Sequence, residues 1–230
     1  MAKRTVKGLL LRLGGAVVLC AVGAVGAYGY ARQWRPSTQL YPIQGVDISS
    51  EQGLVHWPTV KGAGADFAYL RATDGLTGRD ESFTSHWAEA SSAGLRRGAY
   101  HQFSLCRPAA EQATAFIATV PREEAALPPA IIFDFQENCG ARPEKAQLQR
   151  AAQTLIDMIE AHSGRPAVLR VSDDFQDEYD ITGIAPRTMW RARNFLAPDA
   201  EKQPWVMWRA SDLHRIDGVE GPVDWNVVHQ

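Results

Sequence analysis

The chain has 230 residues, 45% of them hydrophobic and 22% charged, and a formal net charge of −2. This is ordinary globular composition, long enough for one sizeable core. No long block of one sign is present, so the basic footprint of a nucleic-acid binder is absent and that class is set aside.

The first feature in chain order is a membrane signal. Lys3, Arg4, Lys7 and Arg12 precede an uncharged stretch from Leu13 to Ala31, LGGAVVLCAVGAVGAYGYA, close to the roughly 20 residues a helix needs to cross a bilayer. The basic flank belongs on the cytoplasmic side. Residues 1–31 therefore read as a cytoplasmic tip and signal-anchor, single-pass in the inner membrane, with the rest of the chain on the periplasmic or extracellular side. A cleaved signal peptide is the competing reading, with small residues such as Gly29 and Ala31 at the cleavage site and a secreted product. The apolar run is long for one. The residues around Cys20, VVLCAV, lack the small residues expected just before a lipidated cysteine. Export permits a disulfide, and Cys106 and Cys139 are expected to pair, with two buried free thiols as the alternative.

A linker follows over residues 32–42, and one domain over 43–230. Short apolar strands alternate there with longer helical stretches. Strands are expected at Gln44–Ile48, Phe67–Ala72, Gly98–Phe103, Ala130–Phe135 and Ala167–Val171. Three more are expected at Thr188–Arg193, Trp205–Arg209 and Pro222–Val228. The clearest helix runs from Pro143 to about His162, where Leu148, Ala152, Leu155 and Ile159 form one apolar stripe before Ser163-Gly164. Another, from about Ser82, carries Phe83, Trp87 and Ala90 on one face and stops at Gly94. Repeated strand–helix–strand order implies parallel strands with right-handed crossovers, and eight strands suggest closure of this α/β chain into a barrel. GAGADF at Gly62 has only a superficial likeness to a dinucleotide loop, since it follows a helix and precedes a strand.

Functional groups of such barrels collect at the C-terminal ends of the strands. Asp47 closes GVDIS, Asp134 closes AIIFD, and Asp224 lies in GPVDWN on the last strand. These three are the candidate catalytic acids, against the plainer reading of strand-end caps. Aromatics accompany them: Trp57, Tyr69, Tyr100, Trp190, Trp205, Trp208 and Trp225. Sugar rings stack on such side chains, although core packing competes for each of them. Acids and aromatics at one barrel mouth read as a glycan groove. The histidines, His56, His86, His101, His162, His214 and His229, lack metal-ligand spacing, so neither a metal nor another cofactor is expected. His101, in GAYHQF, reads as a satisfied core histidine.

From about Gly45 to Val228 the chain resembles glycoside hydrolase family 25, the N,O-diacetylmuramidase type of lysozyme. GVDISSEQGLVHW looks like that family's opening strand and loop, YLRATDG like its second-strand motif, AGLRRGAYHQF like its third and GVEGPVDWN like its closing strand. The resemblance implies an irregular TIM-like barrel of eight strands and five helices. It also implies hydrolysis of peptidoglycan glycan strands after N-acetylmuramic acid, with Tyr69, Asp74, Tyr100, Trp190 and Trp208 on the substrate. The family's fourth strand usually ends in Asp-X-Glu, the glutamate being the proposed general acid and the aspartate positioning the sugar's acetamido group. Ungapped alignment of PPAIIFDFQENC puts Ile132 at that aspartate and Asp134 at that glutamate, so the dyad is broken. A two-residue shift, placing Asp134 and Gln136 there, needs compensating gaps. Either way one ionisable group remains on that face of the strand, because 132, 134 and 136 point one way. Glu137 has the opposite parity. Ile132, Phe133 and Phe135 would tend to desolvate Asp134, which favours a protonated acid.

Further departures are Asp74 for a more usual glutamate, Leu169-Arg170 for Tyr-Thr and Trp208-Arg209 for Trp-Gln. Two functions remain in competition. One is a membrane-anchored muramidase, weak or altered, with Asp134 as acid and Asp47 and Asp224 shaping the site. The other is a catalytically inactive barrel that holds cell-wall glycan or a protein at the membrane. A mouth lined openly by Asp47, Asp134, Tyr100 and Asp224 suits a glycan, whereas plugging by Arg170 or Arg209 favours a protein partner.

Overall fold

The computed structural model describes residues 2–201 and 204–229; positions 1, 202, 203 and 230, at the ends or within the expected segments, lie outside the described residues. The chain divides into two compact units, Met1–Trp34 and Arg35–Gln230. In the first, helix α1 (Ala2–Ala31) contains an apolar window, Gly14–Ala31, with a mean hydropathy of 1.5. Its length and position fit a signal-anchor or a signal peptide.

In the second unit the described residues form nine strands and six α-helices: β1 (Gln44–Ile48), α2 (Trp57–Gly62), β2 (Phe67–Asp74), β3 (Gly78–Arg79), α3 (Phe83–Ser92), β4 (Arg96–Gln102), α4 (Ala109–Thr119), β5 (Ala130–Phe133), α5 (Lys145–Ser163), β6 (Val168–Val171), α6 (Asp173–Tyr179), α7 (Ile181–Ile184), β7 (Trp190–Ala192), β8 (Met207–His214) and β9 (Val223–Val228). All eight expected strands are present. The short hairpin strand β3 is additional, and α6 and α7 lie where helical signals fade in the sequence. Residues 35–42 are not a free linker: Arg35 donates to the Ala63 carbonyl at 2.8 Å and stacks on Trp225. Gln44 holds the Pro36 and Tyr41 carbonyls through its amide.

The eight main strands run in the order β6-β5-β4-β2-β1-β9-β8-β7. The sheet is nearly closed, because a single parallel bridge, Leu169 to Met189, joins its two ends. Strand β9 is antiparallel to both β1 and β8, so the expectation of uniformly parallel strands fails there. This reversal brings the start of β9, rather than its end, to the barrel mouth, and Asp224 lies opposite Asp47 in register.

Alternation along the strands fills the barrel with Phe67, Tyr69, Tyr100, Ala130, Ile132, Val168, Trp190 and Met207. Glycine makes room for the rings: a Cβ at Gly45 would lie 2.3 Å from the Phe67 carbonyl oxygen, and one at Gly98 2.5 Å from the Tyr69 ring. Outward residues pack against helices. On α5 the buried stripe is Leu148, Ala152, Leu155, Ile156 and Ile159, and the helix ends at Gly164 in the left-handed conformation. The disulfide between Cys106 and Cys139 ties the loop after β4 to the loop after β5, with its Cα atoms 5.8 Å apart.

His101 is a fully buried core histidine on the outer face of β4. The Gln112 amide nitrogen donates to the Ser104 and Arg107 carbonyls, so its oxygen is the acceptor for His101 Nε2–H at 3.0 Å. Nδ1 therefore accepts from the Thr73 hydroxyl at 2.7 Å. Burial pushes the imidazole down to about 4 from its ordinary 6.5. Between those two values the unfolded chain binds a proton that the folded one does not. Stability is therefore held above pH 6.5 and lost as pH falls. The expected loss between pH 7 and 4 is on the order of 3 kcal/mol from this residue. Urea unfolding of the native chain and of His101→Gln over that range checks it; equal pH slopes for the two would contradict it.

Candidate functional site

The mouth is built from strand ends whose inward positions carry charge. Asp47 is 5% exposed, and its carboxylate accepts from Asn226 Nδ2 at 2.6 Å. The same amide's oxygen accepts from Trp190 Nε1 at 2.8 Å, which fixes the orientation of Asn226. Arg170, inward on β6, lays its guanidinium over the Trp190 ring, 4.5 Å from the centroid. From there it reaches Asp47 at 3.4 Å and Asp224 at 3.7 Å. Arg209, inward on β8, pairs with Asp224 at 3.2 Å and with Asp212 at 3.6 Å.

Burial, and then the neighbouring Asp224 carboxylate, push the Asp47 carboxyl well above its ordinary range, while Arg170 and Asn226 pull it back in part. A buried carboxyl facing a second carboxylate holds its proton more readily, and here that carboxyl is Asp47. For Arg209, burial pulls the guanidinium down, but Asp224, Asp47 and Asp212 together raise it. Tyr100 lies buried below this layer, its hydroxyl pushed up by burial and by Asp47.

Asp134 stands apart. It follows the last residue of β5, is exposed, and makes no hydrogen bond or ion pair among the described residues. The apolar enclosure expected from Ile132, Phe133 and Phe135 does not form around it, because the strand ends at Phe133. Phe133 turns outward onto Phe103 and Phe175, and Phe135 packs on Phe175 under Arg142. Ile132 points into the barrel, 2% exposed. Around Asp134 runs a cleft of about 230 Å3 lined by Ile132, Phe133, Asp134, Arg170 to Asp173, Arg191, Ala192 and Arg209. It opens over the seam where β6 and β7 share only the bridge at Leu169 and Met189.

The structure thus brings Asp47, Asp224 and Tyr100 together and leaves Asp134 open beside them. Asp74 reaches the mouth but is engaged, accepting from the Leu76 and Thr77 amides and from Gln136 at 3.2 Å. Three expected sugar contacts are corrected. Tyr69 sits at the opposite end of the barrel, its hydroxyl donating to Pro128 at 3.0 Å beside a largely apolar cavity of about 350 Å3. Trp208 faces outward, since Met207 and Arg209 on either side of it face inward, and packs against Tyr41 and Trp205. Trp190 is fully buried beneath Arg170, so it carries the arginine rather than a sugar. The arginines of the mouth were legible as unusual residues but not as partners of the acids. Arg191 was missed altogether, because its outward parity hides a position that the open seam brings to the cleft.

Arg170 is the only guanidinium between Asp47 and Asp224 among the described ion pairs. Arg170→Met leaves two facing carboxylates without that charge, and unfolding free energy should drop by about 3 kcal/mol. The loss should be larger at pH 8 than at pH 5, because the raised Asp47 carboxyl takes up its proton as pH falls. Chemical denaturation at both pH values checks this; a pH-independent loss would contradict it.

Comparison with known proteins places the chain. The glycosyl hydrolases family 25 profile matches residues 46–219. YegX, an uncharacterized protein of Escherichia coli strain K12, is 31% identical over 196 residues, covering 82% of this chain and 70% of YegX. Lysozyme M1 of Streptomyces globisporus is 30% identical over 201 residues, covering 80% and 67%. Among solved structures, a family 25 glycosyl hydrolase from Bacillus anthracis superposes with a TM-score of 0.77 at 28% identity, covering 86% of this chain and 93% of that one. The bacterial lysozyme of Streptomyces coelicolor superposes at 0.70 and 26% identity, covering 82% and 92%. With most of the barrel matched in both sequence and fold, the chain belongs to the glycosyl hydrolases family 25.

Proposed function

We propose that the barrel is a peptidoglycan-directed glycosidase of lysozyme type, cleaving after N-acetylmuramic acid, whose chemistry rests on Asp134 and is slow. The observation that carries this is the unpartnered, exposed Asp134 carboxyl at the end of β5, in an open cleft at the barrel mouth. Relatives named as lysozymes supply the substrate class. Hydrolysis needs an acid for the leaving oxygen and a second group for the oxocarbenium-like centre, either a carboxylate or the substrate's own acetamide. Asp134 supplies the acid. Ile132 offers no charge to orient the acetamide, and Asp47 and Asp224 are occupied by Arg170 and Arg209. The aspartate is also one methylene shorter than glutamate, and a displacement of about 1 Å can cost about 100-fold in rate.

A second reading is a barrel that binds without cutting. The arginines lying across Asp47 and Asp224 favour it, and on the side of a protein partner, since they withdraw both carboxylates and cover the mouth while the cleft at Asp134 stays open. On either reading we place α1 as a retained anchor in the cytoplasmic membrane, with the barrel on its outer side; recovery of a chain cleaved after Ala31 would contradict this.

Muropeptide release from purified peptidoglycan by the full-length chain in mild detergent separates the two readings. Slow release is expected, abolished in Asp134→Asn and raised about 100-fold in an Ile132→Asp, Asp134→Glu double variant. Release by the double variant alone assigns the binding reading. Release undiminished in Asp134→Asn overturns the role of Asp134.

A further inference from the structure

The cleft beside Asp134 is lined by a guanidinium that the described residues leave without an ion pair, that of Arg191. Arg191 Nε, Arg209 Nε and Ser172 Oγ are all buried without a hydrogen-bond partner, and all three residues line this one cleft. Those three atoms are enclosed by the protein itself, whereas the Arg191 terminal nitrogens take no hydrogen bond among the described residues and belong to a side chain that lines the cleft. Arg209 already shares its terminal nitrogens with Asp224 and Asp212. Arg191 has no ion pair among the described residues, and burial holds its guanidinium down while Asp173 lifts it in part. A half-buried guanidinium whose acidic neighbour, Asp173, forms no ion pair with it is stabilised by an anion that enters beside it, and its planar fork matches a carboxylate.

We infer that this cleft is a carboxylate subsite, in which the Arg191 guanidinium takes a carboxylate carried by the glycan strand. The inference rests on the glycan reading above and names the part of the strand that is recognised. Two carboxylates of peptidoglycan have this chemistry: that of a muramic acid lactyl group bearing no peptide, and those of a stem peptide. A neutral N-acetylglucosamine chain has none. Asp134 and Asp173 line the same cleft and repel an anion, which confines the carboxylate to the guanidinium side, over the seam between β6 and β7. Arg191 is a positioning residue here: it sets which sugar lies beside Asp134 and does not itself act on the bond.

Calorimetric titration of the full-length chain in mild detergent with three tetrasaccharides tests this. One is built of N-acetylglucosamine alone, one alternates N-acetylglucosamine with peptide-free N-acetylmuramic acid, and the third carries stem peptides. The acidic strands should bind about tenfold more tightly than the neutral one at low salt, a difference that shrinks as salt is added. In Arg191→Gln the preference should fall to about parity. Arg191→Lys should restore part of it, and Arg150→Gln, an exposed charge on α5, should keep all of it. Tighter binding of the peptide-free strand identifies the lactyl carboxylate, and tighter binding of the peptide-bearing strand identifies the stem; both support the subsite. Equal binding of neutral and acidic strands by the native chain, or a preference surviving in Arg191→Gln with native circular dichroism, overturns it. Binding of no tetrasaccharide overturns the glycan reading, and this inference with it.

Discussion

The guanidinium of Arg170, stacked on Trp190 and set between Asp47 and Asp224, is the interaction on which the mouth of this barrel depends. The antiparallel direction of β9 sets Asp224 opposite Asp47 in the β1–β9 pair, one acid buried and the other partly so. A buried carboxylate pair is unfavourable unless it is protonated or given a counter-charge. Here both remedies are present: the Asp47 carboxyl is pushed up by burial and by Asp224, and Arg170 and Arg209 neutralise what remains ionised. Trp190 is fixed through Asn226, so one continuous hydrogen-bonded chain runs from the ring that carries Arg170 to the acid it pairs with.

That arrangement divides the acids by environment. Asp47 and Asp224 are shaped, enclosed and charge-compensated, whereas Asp134 is open and unpaired in the cleft. Ile132, directed into the barrel below Asp134, supplies apolar packing where the resemblance led one to expect a second carboxylate. Three arginines border the cleft, two committed to acids at the mouth and Arg191 free of any described ion pair.

Most of the frame was legible in the sequence because it rests on periodicity. The stripe on α5 follows from burial on one face, while β1, β4 and β9 are buried through most of their length and lie where the short apolar runs put them. The reversed direction of β9 was not legible, since alternation of period two reads the same in either direction. Helices α6 and α7, of seven and four residues, are too short for a helical period to show. In the candidate site, position was readable and partnership was not. Asp47, Asp134 and Asp224 reach the mouth, but the pairing of Arg170 and Arg209 with two of them depends on barrel closure. Aromatics were the weakest guide: a ring that would serve a sugar serves a core equally well, and Tyr69, Trp190 and Trp208 are all consumed by packing.

The central claim is that a glycan strand engages the cleft at Asp134 while Arg170 stays on its acids. A crystal structure of the chain with a bound N-acetylglucosamine–N-acetylmuramic acid tetrasaccharide tests it most directly. The account predicts a sugar seated between Asp134 and Arg191, with Arg170 still over Trp190 and against Asp47. A sugar found hydrogen-bonded to Asp47 and Asp224, with Arg170 swung away, would contradict it.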